Sequence, residues 1–304
     1  MNKLISEIIA KCNGPYLDKD LAIITVSGKD NKKFLQGQLT NDVIGLDSEK
    51  YTLSSYCTHQ GKVIANIQVL LVDNEVLILL PKNIVSIFIE KISKYILMSD
   101  VEFIHQSEAK ILSVAGEEAT KMLTKENITD RGTYKKINGS KILINMSTSF
   151  INLCRCLILD PDTENNIEYE LYDNKYTCLI DLITLFTRLN ENDIEKFIPQ
   201  VLNADKLNTV NYKKGCYTGQ EVVARTHYLG SVKKHVYLGF LKIPSNDEKN
   251  IINNDGESVG ELIGDVFLFN NFLLLHCVLR DSSNFDELYI KNNKLEILAM
   301  EDIA

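Results

Sequence analysis

The run KVIANIQVLLV (62–72) is followed, across Asp73 and Asn74, by EVLILL (75–80). Two apolar, β-branched stretches joined by two polar turn residues pair as antiparallel neighbours, because a parallel pair needs a crossover of about a dozen residues or more. Around this hairpin lie further short β-rich runs, LAIITVSG (21–28), YTLSSYC (51–57) and VEFIH (101–105). Two stretches have helical spacing instead. KDNKKFLQGQL (29–39) places Phe34, Leu35 and Leu39 on one face, and a segment opening at Pro81 carries Ile84, Val85, Phe88, Ile89, Ile92 and Ile96. The order β-α-β-β-β-α-β predicts an α+β layer with antiparallel strands.

Residues 108–160 repeat a smaller version of this pattern. AKILSVAG is a strand, EEATKMLTK a short helix, and SKILINM and INLCRCLIL two further strands. Residues 163–176 are polar and read as loop or exposed helix. LIDLITLFTRL (179–189) and NDIEKF (192–197) are helix-like, and VLNADKLNTVNY is a loop. After Gly230 the runs VKKHVYLGFLKI, ELIGDVFLF, FLLLHCVLR and ELYI alternate with turns such as IPSNDEKN and NNDGES, which predicts a small all-β barrel or sandwich. A chain of 304 residues accommodates two or three domains. No apolar run reaches the ~20 residues of a membrane span. MNKLISEIIAKC reads as an amphipathic helix and not a signal peptide, so a cytoplasmic protein without membrane contact is expected.

The net charge of -8 weighs against a general nucleic-acid binder, whose phosphate contacts need a basic excess. Seven cysteines with no CxxC speak against a disulfide framework and a paired-cysteine zinc site. Cys154 and Cys156 share one face of a strand, and Cys57, Cys178 and Cys277 lie in apolar surroundings, so all five read as structural thiols. Cys216 differs. It stands in KKGCYTGQEVVAR (213–225), and between Asn211 and His235 there are five Lys or Arg residues against one carboxylate, Glu221. Cations and a helix starting near Gly219 would favour a thiolate. Gly215 and Gly219 would let the backbone approach a ligand closely. Gln220 and Glu221 could read the edge of a heterocycle, while the basic rim could hold an anionic tail. Tyr217 and Tyr228 could stack on a ligand or simply pack, and His227 and His235 lack a ligand set for a metal. The polar loops QGQLTNDV (36–43) and YCTHQGKVIANIQV (56–69) offer Asn41, Asp42, His59, Gln60 and Asn66 as cleft residues, although turn chemistry explains the Asn-Asp and Gln-Gly pairs equally well.

KGCYTGQEVVAR, with YLGSVKK downstream, resembles the signature of the folate-binding YgfZ family, within the larger aminomethyltransferase (glycine-cleavage T-protein) superfamily. VSGKDNKKFLQGQLTNDV, YCTHQGKVIANI and FIPQVLNADKLNTVNYKKG agree in order and spacing, so the likeness runs from about Leu21 to about Gly239. It implies a three-domain, T-protein-like architecture around a folate cleft: an N-terminal α+β domain (1–107) completed by 178–230, a second α+β domain (108–177) and a C-terminal β-barrel (231–304). It implies tetrahydrofolate as ligand, with Asn41, Asp42, Gln60, Asn66, Gln220 and Glu221 as the residues expected to bind it. It also implies a role in assembling or maintaining iron–sulfur enzymes, including those that thiomethylate tRNA. The family's cysteine corresponds to Cys216, and Lys214, Gly215, Tyr217, Gly219, Gln220, Glu221 and Arg225 to the rest of its motif.

Two departures stand out. Aminomethyltransferases carry a carboxylate where this chain has Ala65 and Asn66, which cannot act as a base. Relatives carry an acidic residue and a Gly-aliphatic-Pro step where this chain has Ile183 and Leu185-Phe186-Thr187. The leading reading is an accessory factor for iron–sulfur enzymes or assembly proteins, monomeric, acting through the single thiol of Cys216. The rivals are a folate-dependent one-carbon transferase and an RNA-binding accessory protein.

Overall fold

The computed structural model describes residues 3–298 except 13, 48, 139, 148–152, 161–174 and 243–249. Most of the polar stretch expected as loop or exposed helix therefore lies outside the described residues, as does most of IPSNDEKN.

Helix α1 (Lys3–Lys11) and strand β1 (Gly14–Leu17) lead into β2 (Leu21–Ser27), α2 (Asn31–Gln36), β3 (Tyr51–Cys57), β4 (Val63–Val72), β5 (Glu75–Pro81), α3 (Val85–Ser93) and β6 (Glu102–His105). The middle of the chain forms β7 (Lys110–Ala115), α4 (Gly116–Lys125), β8 (Tyr134–Ile137), β9 (Lys141–Asn145) and β10 (Arg155–Asp160). Helices α5 (Lys175–Ile183), α6 (Ala204–Leu207) and α7 (Gln220–Leu229) follow. The chain ends in β11 (Lys234–Lys242), β12 (Asn250–Ile252), β13 (Ser258–Phe269), β14 (Phe272–Arg280), β15 (Tyr289–Ile290), β16 (Asn293–Lys294) and β17 (Glu296–Leu298).

These strands make three antiparallel sheets. The first has the order β3-β4-β5-β2-β6, the second β1-β7-β10-β9-β8, and the third, barrel-like, β16-β15-β12-β13-β14-β11-β17. The predicted hairpin is present, with Val72 opposite Glu75 and Asp73 at φ 54 in the turn. Strand β4 is buried on both faces, which is why its sequence runs apolar instead of alternating. Ala65, Ile67, Val69 and Leu71 face α2 and α3. Leu70 faces the second sheet, packing with Ile142, Ile144 and Leu157. A third core joins α1 and α5 to the barrel through Ile5, Ile8, Leu179, Ile183, Leu238 and Leu274.

Local pattern misplaces several boundaries. Pro81 is the last residue of β5; a 3-10 turn over Lys82–Ile84 separates it from α3, and Ile96 lies beyond the helix. The segment 179–189 is helical only to Ile183. At Leu185 the backbone turns left-handed, φ 58, and the chain runs on without helix. NDIEKF is a succession of turns. Tertiary bonds override its helical spacing: Glu195 N–H donates to the Val63 carbonyl, Val63 N–H to the Phe197 carbonyl, and buried Asp193 accepts from Gly264 N–H of the barrel. The loop expected over 201–212 holds α6 and the end of a 3-10 turn, Pro199–Leu202. Strands β1 and β8 are too short for periodicity to reveal. The first of them carries the N-terminal segment across to the second sheet, where it pairs with β7.

Candidate functional site

Between the first and second sheets the apolar packing around Leu70 gives way to polar groups. A cavity of about 230 Å³ opens there. Its walls come from separated stretches: Tyr51 and Leu53 of β3, Gln68 of β4, Arg131 before β8, Met146 and Ser147 after β9, Arg155 of β10, Asp181 of α5 with Thr184 and Phe186 beyond it, and Lys206 to Asn208 at α6. Register explains why the first three meet. Tyr51 lies opposite Leu70 and Leu53 opposite Gln68, so β3 and β4 offer one face to the second sheet.

The deep end of the cavity is built on ions. Arg155 pairs with Asp181, whose other oxygen accepts from Arg188 Nε at 2.6 Å. Arg188 Nη2 reaches Asp18 at 2.8 Å. Burial alone would raise the Asp181 pKa, but the two guanidiniums outweigh it and hold the carboxyl below its ordinary value. Burial pushes the nearby Tyr51 phenol up to about 12, so it stays a neutral donor. Two atoms are left over. Arg155 Nη2 and Gln68 Oε1 are buried with no hydrogen-bond partner among the described residues, and both residues line the cavity. Leaving such a group unpaired costs about 1–3 kcal/mol, and more for a charged one. A donor and an acceptor on the walls of one cavity suit a flat heterocycle that offers the complementary pair.

The thiol loop lies outside this cavity. Of the cysteines whose side chains are described, Cys216 alone is exposed. Cys57 and Cys277 are buried, and burial pushes both thiols well up. Cys156 is buried with its pKa raised to about 12, and Cys154 is half-buried. Cys178 lies on α5, its side chain outside the described residues.

Lys214 is gripped by the backbone of the 36–41 turn. Its ammonium donates to the carbonyls of Gln36, Leu39 and Asn41 at 2.7, 2.7 and 2.8 Å. Its Nζ also sits 5.2 Å from the centroid of the buried Tyr217 ring. Desolvation lowers the Lys214 pKa to about 8, which still leaves it mostly protonated at neutral pH. Lys214 thereby clamps the 36–41 turn.

The two glycines of the loop sit in different surroundings. Gly219, φ 84, caps α7, and a Cβ there would lie 2.4 Å from the Thr58 carbonyl oxygen. It packs against Gly61, φ 71, so the two glycines let the 58–61 turn seat on the start of α7. Gly215 has open space around it. Gln220 is half-buried, and Glu221 and Arg225 are exposed on α7. His227 stacks on Tyr212 at 3.6 Å between centroids, and His235 bonds Asp281 at 2.8 Å.

No protein-family model matches the chain. It is 29% identical to the "tRNA-modifying protein YgfZ" of Buchnera aphidicola subsp. Baizongia pistaciae, covering 88% of this chain and 87% of that protein. It is 28% identical to the protein of the same name from Vibrio vulnificus strain YJ016, over 72% of this chain and 67% of that one. The crystal structure of glycine cleavage system aminomethyltransferase T from Bartonella henselae superposes with a TM-score of 0.70, covering 99% of this chain and 89% of that chain at 10% identity. The last likeness is one of fold alone.

In sequence the chain is similar to the YgfZ proteins along most of its length. Its fold is that of the aminomethyltransferase T structure, with the cavity between the first two sheets.

The structure places the other resemblance-based residues as follows. Asn41 backs the cavity wall, its amide donating to the Leu53 and Asn208 carbonyls, each at 2.8 Å. Asp42 accepts from Gly45 N–H within its own turn. Gln60 and His59 are exposed. Asn66 is buried, accepts from the Ser55 hydroxyl at 2.8 Å and donates to the Thr187 carbonyl at 3.2 Å. Asn41, Asp42, Gln60, Asn66, Gln220 and Glu221 are not among the cavity's walls. Leu185, φ 58, holds the left-handed conformation that glycine adopts freely. Ala65 faces the helices, away from the cavity. The cavity residues Gln68, Arg131, Arg155 and Lys206 were not singled out from sequence. Two carried a signal: a glutamine inside VIANIQVLLV and an arginine inside LCRCLIL, each interrupting an otherwise apolar strand.

Proposed function

We propose that the chain is a folate-binding, YgfZ-like factor that supports the iron–sulfur enzymes that thiomethylate tRNA, with Cys216 as its reactive or cluster-contacting thiol. The observation that carries the folate part is the orphaned pair in the cavity. A reduced pterin has a ring amide beside an exocyclic amine, which offers an acceptor to Arg155 Nη2 and a donor to Gln68 Oε1. Tyr51, Leu53, Met146, Phe186 and Leu207 supply apolar wall around it. When bound, the folate would supply one-carbon or redox chemistry; the protein's residues bind it, orient it and keep water from its head.

The thiol is held apart from that cavity but tied to it. Asn41 bonds the cavity wall with its side chain, and its carbonyl is one of the three that Lys214 grips. One thiol cannot hold a [4Fe–4S] cluster, which usually takes four cysteines, so a partner protein or small thiol completes any cluster contact. The one-carbon transferase reading lacks a base. Asn66 is a paired amide, and Asp181, the one carboxylate lining the cavity, is tied up by Arg155 and Arg188.

Calorimetric titration with tetrahydrofolate tests the ligand. Wild type and Cys216→Ala should bind alike in the micromolar range, and Gln68→Leu roughly tenfold more weakly, the size expected for one lost buried hydrogen bond. No binding to wild type refutes the folate part. The thiol is tested in cells lacking this protein. Wild type should restore tRNA thiomethylation, and restoration by Cys216→Ala would refute a role for the cysteine.

A further inference from the structure

The cavity is polar and closed at one end and cationic at the other. Arg155 and Gln68 are buried at 3% and 2% relative exposure, whereas Arg131 and Lys206, which also line it, are exposed. Its walls therefore carry three cations, Arg131, Arg155 and Lys206, against the single carboxylate of Asp181. Asp181 is already bridged by Arg155 and by Arg188 from outside the cavity. This positive lining belongs to a protein of net charge -8.

The two outer cations also differ from many surface lysines of this chain. Lys50, Lys91, Lys94, Lys121 and Lys136 each face a carboxylate, as Asp47, Glu195, Glu90, Glu118 and Asp73 respectively. Arg131 and Lys206 have no ion-pair partner among the described residues. The neighbouring carboxylates do not neutralise them. Asp205 is engaged by the Tyr212 hydroxyl at 2.6 Å and faces His227 at 3.4 Å. Asp130 accepts from the Thr129 hydroxyl at 3.4 Å.

We propose that Arg131 and Lys206 are specificity residues that receive the carboxylates of a ligand's tail, and that the ligand is a reduced folate bearing an oligo-γ-glutamate chain. This rests on the folate reading of the cavity above. Arg131 comes from the turn before β8 and Lys206 from α6, and both line the cavity on exposed side chains. The assignment moves the anion-holding role from the basic 213–235 segment to two residues on the cavity itself. Each added carboxylate meets an unneutralised cation, in a setting open enough for salt to screen it.

The test is calorimetric titration with tetrahydrofolate mono-γ-glutamate and tri-γ-glutamate, at low and high salt. The proteins compared are wild type and the double variant Arg131→Gln/Lys206→Gln. Both changes lie on exposed side chains, and thermal melts verify folding. Wild type should prefer the longer tail by roughly three- to tenfold at low salt, as two exposed charge contacts would give. The preference should shrink at high salt and vanish in the double variant. Equal affinity for both tails in wild type, or a preference that survives the double substitution, overturns the proposal while leaving the folate reading intact. Failure of wild type to bind either ligand removes the folate reading and this proposal with it.

Discussion

His276 offers a sharp test of how the barrel is locked to the rest of the fold. It lies on β14, fully inside the protein at 2% exposure. Its Nε2 is 2.8 Å from the Leu182 carbonyl on α5 and its Nδ1 is 3.2 Å from the Thr187 hydroxyl. The carbonyl can only accept, so Nε2 carries the proton and Nδ1 accepts from Thr187. Burial lowers the pKa of this imidazole from 6.5 to about 4. A group whose folded pKa lies below its unfolded value binds protons more readily when unfolded. The neutral ring's contribution is therefore complete above pH 6.5, falls as the pH drops through the window to about 4, and then levels off. At about 1.36 kcal/mol per pKa unit the full loss is on the order of 3 kcal/mol, of which about 2 kcal/mol is gone by pH 5. Urea unfolding of wild type and His276→Gln at pH 7.5 and pH 5 measures this. The variant should be less stable at pH 7.5 but should lose about 2 kcal/mol less on acidification, since the other titrating groups are common to both. Equal losses in the two proteins would show that His276 is not a buried neutral ring, and the packing of β14 on α5 described here would be wrong.

Two further predictions concern the thiol loop. Gly219→Ala should cost more than about 2 kcal/mol in urea unfolding, because its Cβ would press on the Thr58 carbonyl at 2.4 Å and its φ is 84; Gly215→Ala, with nothing within 4 Å, should fall within about 0.5 kcal/mol of wild type. Comparable losses at both positions would refute the packing role given to Gly219. Lys214→Met keeps the side chain's apolar stem but strips three carbonyls of their donor, which should cost about 2–3 kcal/mol in the same assay. Lys214→Arg should not restore it, since a planar guanidinium cannot place its protons on three carbonyls that converge on one point.

The contrast between Lys214 and Arg155 shows how much of the site could be read in the sequence. The cysteine motif is contiguous, so its residues are neighbours in space whatever the rest of the chain does, and Cys216 stands out without coordinates. Where a charge points is another matter. Lys214 lies two residues from Cys216, yet its ammonium is spent on a turn some 170 or more positions earlier in the chain. Arg155 looked like one more residue of a buried strand, and its meaning depends on Asp181 and Gln68, which no local window contains.

The sequence by itself determined the strands whose signal is local. The hairpin of β4 and β5, the strand β3, the short helices α1, α2 and α4, and the switch to an all-β C-terminal part all follow from periodicity and turn residues within a few positions. The tertiary structure decided what non-local bonds control. It ended α5 at Ile183 and turned the chain at Leu185, it made turns of NDIEKF by tying them to Val63 and Gly264, and it carried β1 across to the second sheet. It also made the cavity, since Gln68, Arg131, Arg155, Asp181 and Lys206 meet only when the first two sheets pack face to face with α5 and α6 at their edge. The physical reason is range. Side-chain periodicity reports which face of an element is buried, but a buried charge or amide is defined by its partner, and here the partners come from segments far apart along the chain.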